Sequence, residues 1–325
     1  MLTNAILKEI RIMRENSDNT SVAVMMSSYN GELYIEEQLK SILDQTGVDV
    51  YLYIRDDGSS DKTIQILQKY SMLDNVNIEI GRHLGVGISF MELLCSVPQN
   101  YDYYAFSDQD DIWENDKLIT AVRCLREEKG CALYASNLEC VDANNNSIGM
   151  LYGSDMLRDW SLFSVILSGR CYGCTQVFNR ELLLVVRSRQ PSNRFLKTRL
   201  HDTWVSVSAA AIGKIIFDME SHIRYRRHGN NYSTINSERV DVWKSRFSKL
   251  IHEEKRNPRS KTASEVVKIY PEYVKKDRDR DMIYILADPW KISNRIVLIK
   301  NRDKFISLTT ESDAWFITKV ISGLV

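Results

Sequence analysis

The chain has 325 residues, is 44% hydrophobic and 26% charged, and carries 43 Lys plus Arg against 43 Asp plus Glu. Such a chain suits one large domain, or one domain with an appendage, and excludes wholesale disorder, a low-complexity or collagen-like chain and a surface that binds nucleic acid as a whole. The neutral total hides a polarity: residues 1–239 sum to −6, residues 240–304 to +7 with 17 Lys/Arg against 10 Asp/Glu, and residues 305–325 to −1.

In chain order, Val22–Met26 is a short apolar run that ends in Ser27-Ser28-Tyr29-Asn30-Gly31, which predicts a buried strand entering a loop. Ile35, Leu39, Ile42 and Leu43 share one helical face. Tyr51–Ile54 predicts a second strand, stopping at Arg55-Asp56-Asp57-Gly58-Ser59-Ser60-Asp61, with Asp61 placed to cap the next helix. Strands at Val76–Ile80 and Tyr101–Phe106 alternate with a helix from about Val86 to Leu94. This is the pattern of βαβ units in a doubly wound, mostly parallel sheet, where ligands bind beyond the carboxyl ends of the strands. Three of those ends carry polar, Asp-rich loops. Further on, the sequence predicts short strands at 132–135, 138–142, 214–217 and 223–225, and helices near 161–168, 180–187 and 202–211. Residues 240–304 read as basic helical segments broken by Pro258, Pro271 and Pro289.

Asp108 and Asp110 stand two apart after a strand, so in extended geometry both point one way, and Asp111 adds a third carboxylate. Clustered oxygen ligands suit Mg²⁺ or Mn²⁺; a helix-capping loop is the plain alternative, although Asp116 is better placed to cap. Asp56-Asp57-Gly58-Ser59 is either an ordinary turn or an acceptor for a base imide or a ribose hydroxyl. Gly81–Gly87 is not a GxGxxG and follows the third strand, which argues against dinucleotide binding. Asp202 can be a helix cap, a general base, or both. Arg224–Asn231 is a basic cluster suited to a diphosphate, in which His228 can donate to phosphate or bind metal. Cys171 and Cys174 form a CxxC without a second pair, which favours buried reduced thiols over a half-zinc or redox site.

Taken together, Ser27–Gly31, Arg55–Asp61 and Phe106–Trp113, followed by Gly173-Cys174-Thr175, Phe178-Asn179-Arg180, His201-Asp202 and Tyr225–Asn231, resemble in order and spacing the family 2 glycosyltransferases, in their bacterial rhamnosyltransferase-like branch. The resemblance covers residues 21–235. It implies a GT-A fold, in which a Rossmann-like, mostly parallel sheet is followed by an acceptor-binding part, and an inverting transfer of one sugar from a nucleotide-diphospho-sugar, dTDP-rhamnose or a UDP-hexose, to a hydroxyl of a lipid-linked or protein-linked glycan in bacterial surface polysaccharide or glycoprotein glycan synthesis. It implies roles for Ser27, Tyr29, Asp57, Arg82, Asp108, Arg226 and His228 in donor binding, for Asp110 and His228 at an Mn²⁺ or Mg²⁺ ion, and for Asp202 as the base.

The corresponding organisation is a helical lead-in at 1–20, a catalytic domain at 21–239 (donor half 21–130, acceptor half 131–239) and a basic, mostly helical extension at 240–325. Two other readings compete. A sugar nucleotidyltransferase would carry a basic Gly-rich loop after the first strand, and Ser28–Gly31 has no Lys or Arg. An inactive scaffold is at odds with the intact Asp57, Asp110 and Asp202. No leader pattern and no run of 18 apolar residues is visible, so a cytoplasmic enzyme is expected. The basic segment 240–304, with Trp243, Phe247, Trp290 and Ile296, can dock on an anionic membrane or join two copies of the chain.

Overall fold

The computed structural model describes residues 20–156, 159–169, 171–227, 258–309, 312–322 and 325. The lead-in at 1–19, the domain boundary at 239/240, and His228, Trp243 and Phe247 lie outside the described residues.

The strands are β1 (Thr20–Ser28), β2 (Val48–Asp56), β3 (Val76–Ile80), β4 (Tyr103–Ser107), β5 (Ile112–Trp113), β6 (Ala132–Val141), β7 (Ser147–Met150), β8 (Val177–Asn179) and β9 (Lys214–Arg226). They form one sheet in the order β3-β2-β1-β4-β8-β6-β9-β5, with β7 beside β6. The expected parallel block is β3-β2-β1-β4. Beyond it the sheet is mixed: β8 runs antiparallel to both β4 and β6, and β9 is parallel to β6.

β1 shows why its sequence is a continuous apolar run. Val22, Val24 and Met26 enter the core on one face and Ala23 and Met25 the core on the other, all fully buried. Side chains alternate along a strand, so one covered on both faces needs apolar residues at every position. Helices α1 (Ile35–Leu43), α2 (Thr63–Gln68), α3 (Val86–Ser96) and α4 (Lys117–Leu125) connect these strands. Asp61 lies one residue before the N-cap, Lys62, so it is not the cap itself, although it accepts from the Thr63 N–H at 2.9 Å. Asp116 does not cap α4; its carboxylate meets His222 Nδ1 at 3.0 Å instead.

The second half departs from the expected short elements. The two strands expected at 132–142 are one, β6, and the two expected at 214–225 are one, β9, whose pairing with β6 shifts register near Ser136–Glu139. Irregular pairing interrupts the side-chain alternation, so one bent strand reads as two short ones. Helices α5 (Leu162–Ser168), α6 (Arg180–Ser188) and α7 (Asn193–Ile212) cover this half.

Six further helices follow: α8 (Pro258–Ile269), α9 (Pro271–Val274), α10 (Arg280–Ala287), α11 (Ile292–Lys300), α12 (Arg302–Ser307) and α13 (Asp313–Ile321). The extension is helical, as expected, but its described part is not a separate arm. Ala263, Val266, Tyr270, Ile283, Leu286, Phe305 and Phe316 are buried in the same core as Phe90, Phe163 and Trp204. The Tyr270 hydroxyl donates to Ser208 Oγ on α7 at 2.8 Å. Phe305 lies between Phe163 and Phe316, with ring centroids 5.4 and 5.0 Å away. Phe305→Ala is therefore expected to destabilise the whole catalytic body by about 3–5 kcal/mol in urea unfolding. A loss confined to a separate, earlier transition would mean that the C-terminal helices fold apart from it.

Candidate active site

The candidate residues gather past the carboxyl ends of β1, β2 and β4. Register aligns Ser28 with Asp56 and Met26 with Ser107, so three loops leave the sheet side by side. Side chains lace them together. Ser28 Oγ and Ser59 Oγ donate to Asp56 at 2.9 and 2.6 Å, and Asp56 also accepts from the Gly58 and Ser59 N–H groups. Gln109 exchanges two hydrogen bonds with the Tyr29 backbone, at 2.9 and 3.0 Å. An added methyl at Gly31 would press into the amide end of the Gln109 side chain, so it would have to displace that side chain from its bonds to Tyr29.

Asp57 is 2% exposed. Its carboxylate pairs with Arg55, accepts from the Leu84 and Gly85 N–H groups at 2.8–3.0 Å, and meets His83 Nδ1 at 3.0 Å. It thereby pins the Arg82–Gly85 loop to β2. Arg82 is exposed on that loop, and its carbonyl accepts from Arg55 at 3.0 Å. Tyr29 is 44% exposed and its ring lies 4.4 Å from that of His83. Ser27 donates to Ser89 at 2.7 Å.

After β4 the chain bends at Gln109–Asp110 rather than staying extended. Asp108 and Asp111, together with Cys174, bring one ligand atom each within 4.8 Å of one another. Burial first, then the charges of Asp110 and Asp202, push the Asp108 carboxyl up to about 7. Burial, followed by Asp110 and Asp108, pushes Asp111 well up. Both carboxyls raise the Cys174 thiol, whose largest cause is again burial. Asp110 sits in the bend beside this group, and its carbonyl accepts from Arg226 Nε at 3.1 Å. Of the CxxC pair, Cys174 alone joins the acidic group; both thiols are reduced and buried, as expected.

The Arg226 guanidinium takes a different arrangement from a diphosphate contact. It is 3% exposed, pairs with Glu37 at 2.6 Å, donates to the carbonyls of Asp110 and Ala143, and lies 4.6 Å from the Tyr34 ring centroid. Its own N–H donates to Asp111 at 3.2 Å. It braces the acidic loop from behind. Lys117 lies deeper, fully buried 3.7 Å from the Trp113 ring centroid, and burial lowers it to about 7 against the opposing pull of Cys174 and Asp111. Sequence spacing offered no signal for Lys117 or Gln109, because their partners arrive from distant elements.

Asp202 faces this group closely enough to raise Asp108. Its oxygens accept from the Gly173 N–H at 3.2 Å and the Thr203 N–H at 2.6 Å. Burial raises its carboxyl, opposed by those N–H groups and by Arg199. α7 is broken just upstream: Leu200 has φ 63° and ψ 171°, a conformation that strains any residue but glycine. The break starts a fresh helical segment at His201-Asp202, so the carboxylate sits at a helix N-terminus. Gly87 on α3 permits the break, since a methyl there would press into the Leu196 carbonyl and approach the Leu200 Cα at 3.3 Å. His201 stacks on Phe90 at 3.9 Å and meets Phe106 edge-on at 4.6 Å.

The family profile described as Glycosyl transferase family 2 matches residues 23–183. The dTDP-rhamnosyl transferase RfbG of Shigella flexneri is 33% identical over 221 residues, 63% of this chain and 72% of that protein. A putative teichuronic acid biosynthesis glycosyltransferase of Bacillus subtilis, TuaG, is 34% identical over 113 residues, 34% of this chain and 44% of that protein. Residues 1–349 of TarS from S. aureus, solved with UDP-GlcNAc, share the fold with a TM-score of 0.56 at 17% identity, covering 93% of this chain and 90% of that one.

Gly87→Ala is expected to lower stability by roughly 1–3 kcal/mol and, by shifting the Leu196–Leu200 segment, to depress turnover more than donor binding. Full turnover in a stably folded variant would show that Asp202 does not depend on this close approach. Burial holds His201 neutral, with its pKa down at about 3 against 6.5 in the unfolded chain. The unfolded chain therefore binds the proton first, and stability is lost as pH falls through that window. His201→Phe should flatten the stability–pH profile between 6.5 and 3; an unchanged slope would assign it to other groups.

Proposed function

The chain belongs to glycosyl transferase family 2, in its rhamnosyltransferase-like branch, and from that premise we propose that it moves one sugar, with inversion, from a pyrimidine nucleotide-diphospho-sugar to a hydroxyl of a glycan acceptor in bacterial surface polysaccharide synthesis. Its activity is that of a glycosyltransferase (EC 2.4). The likeness to the Shigella flexneri rhamnosyl transferase supports dTDP-rhamnose as the donor, ahead of the UDP-hexose alternative.

The observation that carries the mechanism is Asp202 at the start of its helical segment, facing Asp108. A carboxylate whose pKa is raised by burial is a stronger base than one in water, yet two backbone N–H groups keep it aimed. Asp202 takes the acceptor hydroxyl proton, and the oxygen attacks the anomeric carbon opposite the diphosphate. The exposure of Tyr29 and Arg82 on neighbouring loops supports contacts from them to the base and phosphates. Asp57 supports them by fixing the Arg82–Gly85 loop, and a base reaches its carboxylate only where that loop opens.

For a divalent cation, the donors present fit. Asp108, Asp111 and Cys174 converge, and the buried Asp111 Oδ2 has no hydrogen-bond partner among the described residues; Asp110 beside them is the further carboxylate. A cation held there would offset charge developing on the leaving diphosphate. The carboxylates suit Mn²⁺ or Mg²⁺.

Asp202→Asn is expected to cut transfer at least about 100-fold while leaving intact the thermal stabilisation by donor plus Mn²⁺. Wild-type rates in the purified variant would remove Asp202 as the base. Transfer should also fall as pH drops through the raised Asp202 pKa, because the protonated carboxyl accepts no proton. In the same thermal assay dTDP-rhamnose should stabilise more than UDP- or GDP-sugars; the reverse order would reassign the donor.

A further inference from the structure

The C-terminal helices bury one side against the catalytic body and leave a defined apolar surface on the other. Trp290 is 63% exposed, Ile292 73%, Ile296 49% and Ile321 62%. Ile292, Ile296 and Lys300 follow at i, i+4 and i+8, so they share a face of α11, while Leu298 on another face is fully buried. Arg295 ties the other members to this face. Its guanidinium lies 5.5 Å from the Trp290 ring centroid, and it donates to the carbonyls of Pro289 at 2.9 Å and Ile321 at 3.0 Å. Arg295 thus joins Trp290 and the end of α13 to α11, where Ile292 and Ile296, and Lys291 and Lys300 with them, are exposed.

We propose that this surface, centred on Trp290, Ile292, Ile296 and Ile321, docks peripherally on an anionic lipid bilayer. Charge favours that occupant. Of the five Lys/Arg in residues 289–304, Arg302 pairs with Asp303 and Asp313 and Lys304 with Asp279, whereas Lys291, Arg295 and Lys300 flank the apolar residues with no acidic partner among the described residues, so a second copy would bring the same unpaired positive charges to the contact. Residues 228–257 hold six Lys/Arg against four Asp/Glu, so this stretch of the chain is no electrostatic complement either. Exposed isoleucines flanked by lysines, with a tryptophan at the edge, match the acyl boundary, the phosphate layer and the interface between them. Among the described residues no helix is long and apolar enough to cross a membrane, which makes the contact one of attachment. The proposal does not rest on the donor or the chemistry of the active site.

The test is flotation of the full chain with vesicles of phosphatidylcholine alone or with 40% phosphatidylglycerol, without donor or acceptor. Wild type should float with the anionic vesicles and not with the neutral ones, and should be released by high salt. Trp290→Ala combined with Ile292→Ser, and separately Lys291→Glu combined with Lys300→Glu, should each weaken binding roughly tenfold or more. Both variants change exposed side chains and should keep the wild-type melting temperature and donor binding. Absence of wild-type flotation, equal binding to neutral vesicles, unchanged binding by both variants, or a concentration-dependent dimer abolished by Ile292→Ser would each overturn the proposal.

Discussion

Three carboxylates, Asp108, Asp111 and Asp202, are brought to one poorly hydrated place beside Asp110, and the burial that gathers the three also opposes their charge. Much of the surrounding structure offsets that conflict. Arg226 braces the loop through the Asp110 carbonyl and gives its N–H to Asp111. Lys117 places a buried amine on the far side, where burial opposes its charge as well. Gly173 and Thr203 give N–H groups to Asp202. In low-dielectric surroundings such contacts count for more than at a surface, and leaving any of these groups unmatched would cost more as well.

The same conflict explains where the backbone is strained. A helix running smoothly from Asn193 to Ile212 would carry Asp202 in mid-helix. The break at Leu200 begins a new helical segment there, and Gly87 and Gly173 give it room. Strain at Leu200 is maintained because the body around it is tightly packed. The helices at 258–321 belong to that packing: Tyr270 bonds to α7, and Phe305 closes over Phe163 on α5. The C-terminal segment thus supports the helix that bears Asp202 with one side, and presents its basic apolar surface with the other.

The acidic body and the described part of the basic C-terminal segment, from Pro258 on, are parts of one packed structure. Charge along a chain reports which surfaces repel or attract, not where the chain folds back. A segment with a basic exterior can still bury an apolar stripe, as Tyr270, Ile283 and Phe316 do. Charge does not reveal this packing, because the partners lie on α5 and α7: Ser208 stands 62 residues before Tyr270, and Phe163 packs against Phe305.

The sequence by itself determined the parallel block and its polar loops, because those signals are local: alternation within β1, helical spacing within α1, and Asp-rich stops where strands end. It also brought Asp57, Asp108, Asp110 and Asp202 to notice through the spacing of their motifs. Only the tertiary structure decided what each side chain faces. It turned Asp57 inward to hold a loop, spent the Arg226 guanidinium on Glu37 and two carbonyls, drew Cys174 beside Asp108 and Asp111, and merged four short strands into two long ones. Each of those outcomes depends on contacts between residues far apart in the chain, which neither periodicity nor spacing records.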